Sequence, residues 1–383
     1  MNIDNQSEIC EPIVEHSDDL QCNWQYDIET ISRRFDAWWH GEIIDRPPVT
    51  LNIKPYAISC CPPEPNGHSF DPANHKWLDA EFILDNFEAN LDGATFMAEN
   101  LPCFLPNLGP DLCATVFGAQ LQFACHTSWS RPVVTSCRQV PDLKADLDNL
   151  YWSTIRKMTA MSLERSNGRW MTSLPDLHTN GDLLASLVGP QNLCLEMAQD
   201  IDSVCQAMEY LDGYYASMYD DLWLLIEATG QTCVTWVPAL HRGRVYPVSC
   251  DFICMISPEM LDRTIIKSIE YEINYLDRSI FHLDGPGALV HLDRLLDIPN
   301  LNGIQWVYGA GQEPADRWID VYKRIQAAGK CIQLITEDLT DAMNVAQYLD
   351  PRGVWFCPQG MYSSEEAAAF IQQVENWSTN KKG

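Results

Sequence analysis

The stretch His282-Leu283-Asp284-Gly285-Pro286 closes a run of apolar residues with two groups able to bind a metal or move a proton. Side chains alternate across a β-strand, so residues two apart share a face. A His-x-Asp pair at a strand end can give one metal two ligands, or pair a base with its orienting carboxylate. Cys357 ends the last apolar strand and faces the same mouth if the first and last strands close a barrel. Imidazole, carboxylate and thiolate are all zinc ligands, and three protein ligands leave the open position that catalysis needs. His282, Asp284 and Cys357 are therefore the candidate metal set. The plainer reading is a histidine bonded to a carboxylate for structural reasons, with Cys357 as packing.

Other polar residues gather at the ends of apolar runs. Asp176 and His178 share a face after RWMTSLP and suit general acid–base work, or a loop that caps the helix beginning near Gly181. In Cys250-Asp251-Phe252-Ile253-Cys254, alternation puts both cysteines on one face and Asp251 on the other. The thiols read as core, and Asp251 as a polar group of the mouth. Gln333 and Glu337 share a parity. The candidate acid–base groups are Asp176, His178, Asp251 and Glu337. His241-Arg242-Gly243-Arg244 is the most basic spot in the chain and either grips an anion or pairs with local carboxylates. With His241, the aromatics Trp306 and Tyr308 form the candidate substrate set. Together with Trp236, Phe252 and Trp355 they would line a pocket for a flat or methylated ligand, or pack the core.

These residues need a scaffold, and the chain spells one out. From Asp27 an amphipathic helix is expected, then a turn at Gly41 and a first strand at Val49–Ile53. Residues 55–75, rich in Pro, Gly, Asn and His, read as a long loop. Further strands are expected at Trp170–Leu174, Thr232–Pro238, Val245–Phe252, Ser279–Leu283, Gly303–Tyr308, Cys331–Thr336 and Gly353–Cys357. Between them, Ser257-Pro258-Glu259 reads as a helix start and Ser363 to Glu366 as a capping box. Leu261, Ile265, Ile269, Ile273 and Leu276 keep one helical face, and Ala327-Ala328-Gly329 ends a helix. Repeated strand–helix units imply a parallel sheet with helices outside. The motif at Gly285–Ala288 is no phosphate loop, so a (β/α)8 TIM barrel with an N-terminal helical extension is preferred to an open sheet. Its active site would lie at the C-terminal strand ends. Residues 1–22 are expected to be an acidic flexible tail, and 23–383 a single barrel domain.

Composition bounds the partners. The 383 residues carry 25 Lys+Arg against 53 Asp+Glu, a net charge of −28. That disfavours nucleic acid and anionic membranes, which need clustered bases, and a highly carboxylated substrate. No run approaches the roughly 20 apolar residues of a membrane span, and the acidic start has no signal-peptide character, so a cytoplasmic location is expected. The 15 cysteines form no disulfide framework and read mostly as reduced core residues.

The segments ISRRFDAWWHGEIIDRPPV, GPDLCATVFGAQLQF, CDFICMISPEMLDRTI and FHLDGPGALVHLDRLLDIPNLNGIQWVYGAG resemble the uroporphyrinogen decarboxylase-like superfamily, over about residues 27–377. That superfamily includes the decarboxylase itself and zinc-dependent corrinoid methyltransferases. The decarboxylases place an arginine-rich segment after the first strand, where this chain reads NIKPYAISCCPPEPNGH with only Lys54. The methyltransferases use His-x-Cys on one strand and a Cys on the last. Here His282 and Cys357 match, and Asp284 replaces the middle Cys. The resemblance thus implies a zinc enzyme moving a methyl group between a small-molecule substrate and a corrinoid protein or thiol, with homo-oligomers allowed. A metal-free decarboxylase or lyase, or a ligand-binding barrel, is the alternative.

Overall fold

The computed structural model describes residues 26–54, 77–91, 93–124 and 127–381. The expected tail at 1–22 and the whole of the loop at 55–75 lie outside them.

The chain is a mixed α/β structure built on parallel strands. The short strands β1 (Cys103–Phe104) and β4 (Met171–Thr172) pair in parallel, and β2 (Leu121–Phe123) and β3 (Ser128–Ser130) form a small hairpin. Then β5 (Val245–Ser249), β6 (Arg278–Asp284), β7 (Gly303–Val307), β8 (Cys331–Thr336) and β9 (Val354–Pro358) lie side by side in chain order. Parallel neighbours joined through helices are the expected strand–helix repeat. Beyond β9, Val49 bridges Phe356 and Ile53 bridges Tyr362, both parallel. The segment expected as a first strand therefore runs beside the last. The expected strand at Thr232–Pro238 is not formed. Cys233 instead bridges His241 in antiparallel sense, so this segment doubles back on itself.

Local signals account for the helices. Asp27 accepts the amide of Thr30 to open helix Ile28–Trp39, and Gly41, at φ +65°, turns the chain after it. Phe35 and Trp38 of that helix meet Trp355 edge to face at 5.1 and 5.5 Å. Ser257 caps Met260, and Ser363 and Glu366 exchange both bonds of a capping box. The face from Leu261 to Leu276 is buried as expected. Its helix is broken at Thr264 into Pro258–Arg263 and Ile266–Tyr275. Cys113, Cys137, Cys233, Cys250 and Cys331 are free and buried, as core thiols.

One buried ion cluster fastens the segment beside β9. Glu99, 1% exposed, accepts from Arg46 at 2.7 and 3.0 Å, from Arg34 at 2.8 Å and from the Val49 amide at 2.7 Å.

Candidate functional site

β6 carries His282 and Asp284 to its C-terminal end, where Gly285 at φ +77° bends the chain away. The two share a face, as alternation requires. The edge of Trp236 meets the His282 ring, with centroids 5.1 Å apart. Nδ1 of His282 is hydrogen-bonded to Oε1 of Gln305, its register partner on β7. Gln305 donates through Nε2 to Gln333 Oε1 at 2.6 Å, and Gln333 donates through Nε2 to Cys357 Sγ at 3.5 Å.

Asp251 joins His282 and Asp284 by a route that alternation does not give. β5 stops at Ser249, and Asp251 opens a 3-10 turn, Asp251–Met255. Parity along a regular strand therefore does not apply to it. Three residues force that turn. Asn180, at φ +46°, donates to the Ser249 carbonyl at 2.9 Å. Asp182 then accepts the amides of Asp251 at 2.9 Å and Phe252 at 2.8 Å. Between them Gly181 has no room for a side chain, since a Cβ would lie 2.6 Å from Ile265 Cδ1 and 2.9 Å from Cys250 Sγ. Gly181→Ala is expected to cost about 1–3 kcal/mol by overpacking. It should also shift the 251–255 turn, which urea unfolding and metal titration would register. An unchanged unfolding midpoint would contradict this.

Asp251, His282 and Asp284 each offer a ligand atom within 4.8 Å of the others, as do His178, Asp182 and Asp251. Cys357 belongs to neither group, so the structure does not bring together the expected trio of His282, Asp284 and Cys357. Cys357 is linked to His282 through the two glutamines, and burial pushes its thiol up to about 12. Asp176 and His178 do meet, at 3.3 Å from Nε2, and Asp182 takes Nδ1 at 3.2 Å. Burial disfavours charge on His178, yet carboxylates on both ring nitrogens raise its pKa well above the ordinary value. Burial, and then the neighbouring Asp182, raise that of Asp251 against the pull of His178 and His282.

The expected substrate set is dispersed. Trp306 has the opposite parity to Gln305 and is fully buried against Trp318, with ring centroids 5.3 Å apart. It packs the layer between sheet and helices. Tyr308 is buried at the end of β7, its hydroxyl raised by burial and by Glu337. Glu337 is exposed just after β8. His241 lies near Arg278 and Asp277, at the start of β6 and the opposite end from His282. It falls there because its segment doubles back instead of running up as a strand.

Behind the turn, Asn180 Nδ2 also reaches both oxygens of Glu272, at 3.1 and 3.3 Å. Burial pushes Glu272 up to about 8, against hydrogen bonds from Thr179 and Asn180. The folded chain thus holds a proton that an unfolded glutamate releases near pH 4.5. The associated stability is complete below about pH 4.5 and is lost as pH rises through about 8. Glu272→Gln, which keeps an acceptor for Asn180, should flatten the fall in urea midpoint between about pH 5 and pH 8.5. An equal fall in both proteins would contradict this.

Asp182 and Gln305 escaped the sequence reading. Asp182 stands four residues after His178, the spacing of helix neighbours. Gln305 and Gln333 each occupy the third position of a largely apolar strand, GIQWV and CIQLIT. A polar residue repeated at one level of adjacent buried strands was the available signal.

No protein-family model matches the sequence, and no curated protein matches it. Among solved structures, the chain is similar to a methyltransferase from Methanosarcina mazei, at 10% identity and a TM-score of 0.57. The likeness covers 90% of this chain and 98% of that one, and at this identity it is a likeness of fold. Among the described residues no helix is long and apolar enough to cross a membrane.

Proposed function

We propose that this protein is a methyltransferase of the uroporphyrinogen decarboxylase-like superfamily, built on a (β/α)8 barrel, with a zinc-type cation held by Asp251, His282 and Asp284. The barrel reading is supported by the five-stranded parallel sheet and by the parallel bridges of Val49 and Ile53 beside β9. The metal reading rests on one observation above all. Two carboxylates and an imidazole converge within 4.8 Å at the C-terminal ends of β5 and β6, where such folds place catalysis. The donor set suits zinc: with Nδ1–H given to Gln305, Nε2 of His282 keeps its lone pair. Asp284 is exposed, and Asp251 stands beside it at the opening of the 251–255 turn. Asp251 takes the place that the sequence reading gave to Cys357.

When bound, the cation supplies Lewis acidity that stabilises charge on the heteroatom carrying or accepting the methyl group. The chain's own residues do the rest. His178, flanked by Asp176 and Asp182, holds a proton beside the site. Asp182 fixes the turn that presents Asp251, and Trp236 covers one side of His282. A small methylated substrate fits the role of one partner, and a corrinoid protein or a thiol that of the other.

The test is metal analysis of the purified protein together with methyl transfer from candidate donors. Stoichiometric zinc is expected, and Cys357→Ser should retain it because Cys357 lies outside the ligand group. Loss of zinc in Cys357→Ser, with Asp251→Asn unaffected, would return the site to the ligand set first expected. A metal-free protein with turnover dependent on His178 would instead favour the decarboxylase or lyase reading, which the paired carboxylates on His178 support.

A further inference from the structure

A buried polar side chain is costly unless hydrogen-bonded, and an apolar residue would fill the same place in a sheet more cheaply. Gln305 and Gln333 are each 5% exposed, yet they stand side by side on β7 and β8 as register partners. Their bonds run in one sense. Gln333 gives an N–H to Cys357 Sγ and takes one from Gln305 on its own oxygen. Gln305 turns its Nε2 toward Gln333, so the atom it sets against His282 Nδ1 is its oxygen. Nδ1 must then carry the hydrogen, which leaves Nε2 bare. Which nitrogen of an imidazole is protonated is set by the bond the other one makes.

We propose that Gln305 and Gln333 are positioning residues that lock His282 in its Nδ1–H form, so that Nε2 is presented to a cation shared with Asp251 and Asp284. The ladder holds the ring's rotation as well as its tautomer, because Gln305 is itself anchored on Gln333 and cannot swing. Both glutamines are committed to one another and to His282 and Cys357. Their part is to set the histidine, and it rests on the metal reading only for the identity of what Nε2 meets.

The experiment reads the tautomer directly, by 15N–1H correlation of the His282 ring in metal-free protein, and zinc affinity separately, by competition with a chelator. In the unsubstituted protein the Nδ1–H form is expected to dominate. Gln305→Met keeps the shape and removes the acceptor. It should give a mixture of tautomers and weaken zinc binding by about 10–100-fold, the usual cost of losing an outer-shell partner. Gln305→Glu keeps an acceptor for Nδ1–H, and should restore the tautomer and bring affinity back to within about tenfold. A purely packing role would not separate Met from Glu in this way. Should Gln305→Met fail to fold, Gln333→Met removes the anchor while leaving the acceptor in place. It should loosen the ring and weaken zinc by a smaller factor. A dominant Nε2–H form in the unsubstituted protein, or Gln305→Met and Gln333→Met with unchanged tautomer and affinity, would overturn the proposal. A locked tautomer released by Gln305→Met in a protein that binds no zinc would uphold the ladder and refute the metal reading alone.

Discussion

His282→Ala is expected to abolish the zinc binding proposed for this protein and, with it, the proposed methyl transfer. Of the three converging groups, the imidazole is the one whose coordinating atom is fixed in advance. Asp251 and Asp284 lie on a turn and at a strand end, whereas the His282 ring is held by Gln305 on one side and the Trp236 edge on another. Two carboxylates without a third protein ligand bind zinc weakly. The fall in affinity should therefore exceed the roughly 10–100-fold associated with losing an outer-shell partner. Folding should survive, because the ring is partly exposed and its removal leaves the strands' backbone bonds intact. Chelator competition gives the dissociation constant, and far-UV circular dichroism checks the fold. A His282→Ala protein that still carries one zinc per chain would exclude this site.

Glu99→Ala should produce the largest loss of stability of any single change described for this chain, about 3–5 kcal/mol. The carboxylate is fully buried, and it neutralises Arg46, which is only 4% exposed. Alanine would strip that buried guanidinium of both short carboxylate bonds, leaving it the Pro47 carbonyl and one longer carboxylate contact. Glu375 is its next acidic neighbour, 3.9 Å away. The Val49 amide would lose its acceptor too. Because Glu99 also accepts from Arg34, the substitution frees the Val49 segment that lies beside β9. Denaturant unfolding measures the effect, and a loss below about 1 kcal/mol would contradict it. Replacing Glu99, Arg46 and Arg34 together by apolar residues should cost less than Glu99→Ala alone, since no buried charge is then stranded and Asp45, which loses Arg34, is half exposed.

Much of the scaffold was legible from local rules. Runs of Val, Ile, Leu and Trp marked the strands that pair from β5 to β9, and Ser257, Ser363 and Gly329 marked helix ends that form as written. These signals act within a few residues, through caps, turns and alternation, so one chain is enough to show them. The readings that failed share a cause. Asp251 was assigned a face as if β5 continued, and His241 an end as if Thr232–Pro238 were a strand. In both places the backbone leaves regular strand geometry, through the distant Asp182 for the first and the local Cys233–His241 bridge for the second.

By itself the sequence determined the class of structure, a parallel strand–helix architecture in a strongly acidic chain. It also identified His282 and Asp284 as a pair sharing one strand face. Only the tertiary structure decided what completes that pair. It brought Asp251 in through a turn pinned by Asn180 and Asp182, and left Cys357 at the far end of a glutamine ladder. It also moved Trp306 and His241 away from the cluster. The physical reason is that periodicity fixes which side of an element a residue faces, while the neighbours across that face are set by where elements stop. Those stopping points depend on hydrogen bonds between residues tens of positions apart, such as the 69 separating Asp182 from Asp251.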